Sequence, residues 1–453
     1  MKRAKKLVVL GLDGLPFSLL NEAFAAGRLP NLKRLSREGV WAQMNSVIPT
    51  VSSVAWATFM TGQNPAQHGI YGFVERSGQM KRFIPTGSDI NAQTLWDRLN
   101  QLGVRTIVMN VPLTYPPKPV NGILISGFLG PNLDRITYPQ EVSMLLKKKG
   151  YIIDPDPRNV VTDKDGFLSE IFKAFQARAD VALHLLREEA WDFFMCHIME
   201  TDRLHHFFWD SKDDTGAKYH RGFWKFYKRL DEFIGGLTAE LPQDTGLLIL
   251  SDHGFCAIKV EVDLNVHLHQ CGFLTFKASA RHLADLDPGS VAYSLPPGRI
   301  YLNLKGREQL GWVDPDSADY EKWREEIAAS LLDLADPESG DKVIQRVHRR
   351  EALYKGLHLN WAADLIAHPQ RGYDLKADIR ADELFSIGPR IGMHTYRDAC
   401  LFIRGVQIAP QAPISIVDVT PTIFDLMGLP IPGDLDGRSL LPPCESGKRI
   451  GGS

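Results

Sequence analysis

Residues 7–12, LVVLGL, form an unbroken apolar run that stops at Asp13-Gly14. A run with no polar alternation is covered on both faces, as a central strand of a parallel sheet is. Similar runs recur at 104–110, 122–126, 191–199 and 245–250, and helical patterns separate several of them, at 94–102, 166–189 and 222–236. Strands alternating with helices specify an α/β sheet with helices on both faces. A carboxylate just past such a strand lies where open α/β sheets bind ligands. An Asp before a Gly fits a plain turn equally well. Two further units are expected: an amphipathic helix over 29–39 stopped by Gly39, and a strand-to-helix unit over 414–428 with Thr420 as N-cap and Pro421 in the first helical position.

The stretch 48–62, IPTVSSVAWATFMTG, carries four hydroxyls, Thr50, Ser52, Ser53 and Thr58, then an apolar helical run closed by Gly62. Ser52 and Ser53 fall at the helix N-terminus, where free N–H groups and the positive end of the dipole favour an anion. A hydroxyl there caps the helix or attacks a negatively charged group. The segment alone leaves both open.

Chemistry-bearing residues gather at other strand ends. Asp202 and His206, after the 191–199 run, are four apart and share one face of a helical turn, a spacing that lets two side chains hold one metal ion. Asp252-His253-Gly254 follows the 245–250 strand directly, and His394 sits in a Gly-containing turn before the strand at 400–404. His68, Tyr71 and Phe73, in the loop 63–73, could line a cleft or pack the loop. From about 261 the pattern loosens into strands at 299–304, 342–347 and 363–367 and a helix at 320–334. This reads as a smaller α+β insertion at 262–390 within a core made of 1–261 and 391–445. The polar residues from about Cys444 read as a frayed end.

Composition narrows the classes. The net charge of −2 gives no global field toward nucleic acid or acidic membranes. No stretch of about 20 apolar residues suggests a membrane span, and the basic head before 7–12 lacks a signal-length apolar run. The five cysteines, Cys196, Cys256, Cys271, Cys400 and Cys444, include no CxxC pair, which fits reduced thiols in the cytoplasm. Asp13, Ser52, Asp202, His206, Asp252, His253 and His394 together form an oxygen and nitrogen donor set suited to zinc, manganese or iron in a two-metal site.

Asp13-Gly14, PTVSS at 49–53, Asp202-xxx-His206, Asp252-His253-Gly254 and Gly392-x-His394, in this order, resemble the alkaline phosphatase superfamily, and within it the type I phosphodiesterase/nucleotide pyrophosphatase branch. LPNL at 29–32, TGxxPxxHG at 61–69 and DVTPT at 418–422 add to the resemblance, which spans roughly 6–441 and is weakest after His253. It implies an alkaline-phosphatase-like, mostly parallel sheet with an inserted cap, and a hydrolase of small phosphate esters with no nucleic-acid surface. It implies one ion on Asp202, His206 and His394 and another on Asp13, Asp252 and His253, with Ser52 as ligand and nucleophile through a phosphoseryl intermediate. Zinc is the first expectation for both ions. Ser53 is then left to cap the helix, and Trp56, Tyr71 and Phe73 are candidates to touch substrate. A monoester or phosphonate hydrolase of the same superfamily is the alternative, and a metal-binding scaffold without catalysis a second one. Ser52 lacks the following Pro and Arg of the sulfatase pattern. The main insertion follows Asp252-His253, unlike that of cofactor-independent phosphoglycerate mutases.

Overall fold

The computed structural model describes residues 4–276, 282–406, 408 and 413–442. Its centre is an eight-stranded sheet. In chain order the strands are β1 (Lys6–Leu12), β2 (Gly39–Met44), β3 (Thr106–Met109), β4 (Gly122–Ile125), β5 (Thr137–Tyr138), β6 (Phe193–Ile198), β7 (Thr245–Leu250) and β10 (Ala399–Arg404). Their spatial order is β2-β10-β7-β1-β6-β3-β4-β5. The five strands from β7 to β4 run parallel. Antiparallel β10 and β5 flank them.

β1 is the axis. Val8, Leu10 and Leu12 join one apolar cluster, with α2 (Lys164–Glu188) and α4 (His220–Glu240). Leu7 and Val9 join the other, with α1 (Ser52–Thr61) and α5 (Val419–Leu426). The alternation of side chains along a strand thus feeds two covered faces from one apolar run. α1 is buried on all sides from Ser53 to Thr61, which explains its uniformly apolar sequence, and it ends at Gly62 in the left-handed region (φ 65°).

Within 262–390 a four-stranded antiparallel sheet, in the order Ala292–Leu295, Arg299–Leu302, Leu365–Pro369 and Ile344–Arg349, packs with the helix Ala318–Asp333 around a third apolar cluster. Ala66, Tyr71 and Met80, from the loop after α1, belong to that cluster.

Three local expectations are corrected. The helix near 29–39 covers only Pro30–Leu35, and Gly39 opens β2 rather than ending a helix, because Asp231 caps the turn at Asn31 and Leu32 and the chain then joins the sheet beside β10. At 414–428 there is no strand beyond a single bridge from Ser415 to Asn45. Ser415 and Asp418 form a capping box on a 3₁₀ turn, so the helix begins at Val419 and Thr420 lies inside it. His394 is not in a turn but on β9 (Gly392–Thr395), which pairs with β8 (Gly254–Ala257) and sets His394 opposite Phe255. The expectation for the end from Cys444 lies outside the described residues.

Candidate active site

The site forms at the C-terminal ends of β1, β6 and β7. β1 delivers Asp13. Gly14 then turns in the left-handed region (φ 62°), and its N–H donates to Asp252 Oδ1 at 3.0 Å. A Cβ on Gly14 would meet the His253 and Phe255 rings at 2.9 and 2.8 Å, so only glycine leaves room there. β6 leads into α3 (Glu200–Phe208), which presents Asp202 and His206 one turn apart. α3 is anchored by the fully buried ion pair Arg178–Glu200 and by Thr201, whose hydroxyl donates to Asp13 O at 2.6 Å. The β8–β9 ladder brings in His394.

The three histidines are oriented alike. Nδ1–H donates to a backbone carbonyl in each: His206 to Gly392 (2.8 Å), His253 to Gly254 (3.0 Å) and His394 to Thr50 (3.4 Å). A carbonyl only accepts, so Nε2 is left as the inward-facing donor atom, as second-shell bonds do for metal-binding histidines. His394 Nε2 lies 3.1 Å from His206 Nε2 and 3.2 Å from Asp202 Oδ1, and the His206–Asp202 separation is 3.3 Å. Ligands about 2.0–2.1 Å from a tetrahedral zinc are spaced by about 3.3 Å. Asp202, His206 and His394 form one such group, and Asp13, Asp202 and His253 form a looser second one, with donor atoms within 4.8 Å of one another. Asp202 thus faces both groups.

Asp13 is held by more than the sequence suggested. Its Oδ2 accepts from Trp56 Nε1 (3.1 Å) and His197 Nε2 (2.9 Å), leaving Oδ1 toward Ser52 Oγ (3.2 Å) and His253 Nε2 (3.5 Å). His197 was missed by sequence reasoning. The available signal was an imidazole inside the otherwise apolar strand FFMCHI. Arg203 was missed too. It grips Asp154 with two nitrogens (2.9 and 2.8 Å) and donates to Asp202 Oδ2 at 3.2 Å.

Ser52 is the first residue of α1. Its Oγ is 3.1 Å from His253 Nε2. No hydrogen bond takes the N–H of Ser52 or Ser53 among the described residues. Ser53 does not cap the helix, because its hydroxyl is buried and unpartnered; the N-cap position is Val51. Trp56, expected near substrate, is turned inward. It is fully buried, with its N–H spent on Asp13. Tyr71 is also buried, and its hydroxyl donates to His358 O (2.5 Å). His68 packs in the core against Thr58 (3.1 Å). Phe73 is half-buried beside Ser52. His205, the neighbour of His206, is tied to Gly14 O (3.0 Å) and Tyr227 (2.6 Å) and faces away from the donor groups.

The electrostatics call for a cation. Burial raises the Asp13 carboxyl, but hydrogen bonds from His197 and His253 outweigh it and hold the group below the usual carboxylate range. Asp202 goes the same way, through His206 and His394. Asp252 is pushed up to about 8 by burial and by the Asp13 charge. Its Oδ2 is buried without a hydrogen-bond partner. Three carboxylates so close cannot all ionise without a counter-charge, and a hard divalent cation supplies one. Asp202, His206 and His394 group as expected for one ion; beside Asp13 and His253 the donor group contains Asp202, where the sequence pointed to Asp252.

The fold is the alkaline-phosphatase-like α/β fold. The type I phosphodiesterase / nucleotide pyrophosphatase family profile matches residues 7–397, so the chain belongs to that family, whose members are metal-dependent hydrolases of phosphoester bonds. A search of curated proteins finds no match. Among solved structures, phosphonoacetate hydrolase from Sinorhizobium meliloti 1021 in complex with phosphonoacetate is similar at 17% identity and TM-score 0.64, over 94% of this chain and 95% of that one. Murine ectonucleotide pyrophosphatase / phosphodiesterase 5 is similar at 14% identity and TM-score 0.55, over 94% and 96%. The human form of the latter is similar at 12% identity and TM-score 0.54, over the same shares. Among the described residues no helix is long and apolar enough to cross a membrane.

Proposed function

We propose that this protein hydrolyses small phosphodiesters or pyrophosphates with Ser52 as nucleophile. The observation that carries this is Ser52 Oγ, at the N-terminus of a buried helix and within 3.2 Å of both Asp13 and His253. Asp202, His206 and His394 would hold one divalent ion and Asp13, Asp252, His253 and Ser52 the other, zinc first, with manganese or iron also suited. When bound, the ions supply Lewis acidity, which lowers the pKa of a serine hydroxyl and offsets phosphoryl charge.

The chain's own residues do the rest. Ser52 Oγ attacks phosphorus, an Oγ–P bond forms, and the P–O bond to the leaving alcohol breaks. The alcohol departs with a proton. Water then forms a new P–O bond as the Oγ–P bond breaks, and Ser52 regains its proton. The free N–H groups of Ser52 and Ser53 point donors toward phosphoryl oxygens. Trp56 and His197 keep Asp13 Oδ1 turned to the serine. The segment 262–390 is proposed as a cap that shapes access. A cytoplasmic setting accords with the free thiols Cys196, Cys256, Cys271 and Cys400.

The test is turnover of bis-p-nitrophenyl phosphate, p-nitrophenyl phosphate and phosphonoacetate by one preparation loaded in turn with zinc and manganese. Diester turnover that Ser52→Ala abolishes is expected. Turnover of only the monoester or the phosphonate replaces the diesterase reading. Bound metal with no turnover of any substrate leaves a metal-binding scaffold.

A further inference from the structure

Asp202 Oδ1 lies 3.3 Å from His206 Nε2 and 3.2 Å from His394 Nε2. A carboxylate turns readily about its last bond, and turning exchanges its two oxygens. In this chain the other oxygen is held. Arg203 Nη1 donates to Asp202 Oδ2 at 3.2 Å. The guanidinium is itself fixed from behind. Its Nε and Nη2 donate to the two oxygens of Asp154 at 2.9 and 2.8 Å, a planar fork on a carboxylate. The Arg203 side chain is nine-tenths buried, with the Phe128 ring 5.3 Å from the guanidinium.

The fork stands on a fixed base. Glu200 and Arg203 are three apart in α3 and share one face of its first turn. Glu200 pairs with Arg178 at 2.7 Å, and Arg178 Nη2 donates to the carbonyls of Ile152 (3.2 Å) and Ile153 (3.1 Å). The Tyr151 hydroxyl donates to Asn110 Oδ1 at 3.3 Å. Two ion pairs thus staple the segment 151–154 to the start of α3, and the second of them ends on Asp202. Charge decides what this second pair can do. A lone guanidinium on Asp202 would oppose a cation bound to the same carboxylate. Asp154 offsets that charge at contact distance, so the pair supplies a directed donor with no net charge.

We propose that Asp154 and Arg203 are a positioning pair for a divalent ion. Arg203 turns Asp202 Oδ1 toward His206 and His394, and Asp154 aims the guanidinium and cancels its charge. The proposal rests on the two-ion reading above. It gives a role to Asp154, whose side chain hydrogen-bonds only to Arg203 among the described residues.

The experiment is zinc titration of the full chain against a chromogenic chelator. The binding step lost in His394→Ala marks the ion on Asp202. Asp154→Asn leaves the guanidinium uncompensated beside Asp202. Arg203→Lys keeps the charge but replaces the fork by a single point donor. Each is expected to weaken the marked step by about 10- to 100-fold and to leave the other zinc within about threefold. The double variant Asp154→Asn with Arg203→Gln carries no unpaired charge, so it keeps the fold should a single variant lose it. Melting temperature checks this, and the same selective loss is expected. Equal weakening of both steps in a folded variant overturns the proposal, because the scaffold and not the ligand has then moved. Full affinity in Arg203→Lys overturns it as well, because charge alone then suffices. Normal zinc affinity with a raised KM for bis-p-nitrophenyl phosphate assigns Arg203 to the substrate and overturns the positioning role. A wild-type chain that takes up no zinc overturns the two-ion reading and the pair's role with it. Two zinc ions held unchanged by the folded variants overturn the pair's role alone.

Discussion

Trp56→Phe isolates one hydrogen bond at the centre of the site. The indole N–H donates to Asp13 Oδ2 at 3.1 Å, and both residues are buried, so no water replaces the lost donor. Phenylalanine fills most of the same space against His197 and Phe59, whose rings lie 4.6 and 5.5 Å from the indole. The change therefore removes a charge-assisted hydrogen bond of about 1.5–3 kcal/mol while largely conserving packing. His197 still holds Oδ2 at 2.9 Å, so Asp13 is loosened rather than released. Loss of an outer-shell partner costs about 10- to 100-fold in metal affinity, and the lower part of that range is expected here. Zinc competition against a chromogenic chelator measures it, with circular dichroism to show that the variant is folded. A folded variant with wild-type metal affinity refutes the claim that Trp56 serves Asp13. A variant with unchanged affinity but a raised KM would restore it to the substrate cleft.

Ser52→Ala should remove turnover by at least about a thousandfold and leave the metal content of the Asp202–His206–His394 group intact, checked by elemental analysis of the purified variant. Chelation should abolish activity and zinc or manganese restore it; His394→Ala should lose about one equivalent of metal per chain. Gly11→Ala would set a Cβ 2.5 Å from the Trp56 ring, so a loss of about 1–3 kcal/mol in urea unfolding and weakened metal binding are expected together. Burial lowers His68 from 6.5 to about 3. The unfolded chain binds the extra proton between those values, so stability falls as pH drops from about 6.5, and His68→Gln should flatten that dependence of the melting temperature.

Much of the site was legible because its residues punctuate apolar runs. Asp13, Asp202 and Asp252-His253 each follow a strand whose composition announces burial, and although a turn explains any one of them, their recurrence at several strand ends does not reduce to turns. Other features depend on pairings across long separations. His197 points from mid-sheet to Asp13 because β1 and β6 are neighbours, which no local pattern states. Trp56 looked available for substrate because aromatic residues near a nucleophile often are, but α1 is enclosed on every side and Gly11 makes the space its ring occupies. Ser53 has the composition of a cap and the wrong orientation for one. The helix at Pro30–Leu35 is shorter than its apolar spacing suggests because the chain leaves it at Ser36 to pair beside β10 from Gly39 onward.

The β8–β9 ladder joins Gly254–Ala257 to Gly392–Thr395 across the whole intervening segment. So distant a pairing raises the contact order of this part of the site. During synthesis Asp202 and His206 are made well before His394, which pairs opposite Phe255. A cation held as proposed by all three would need the finished chain. A cation that prefers the native state would also shift the folding equilibrium by mass action. On that proposal the His394 imidazole would work as a latch, and metal supply would influence how much folded protein persists.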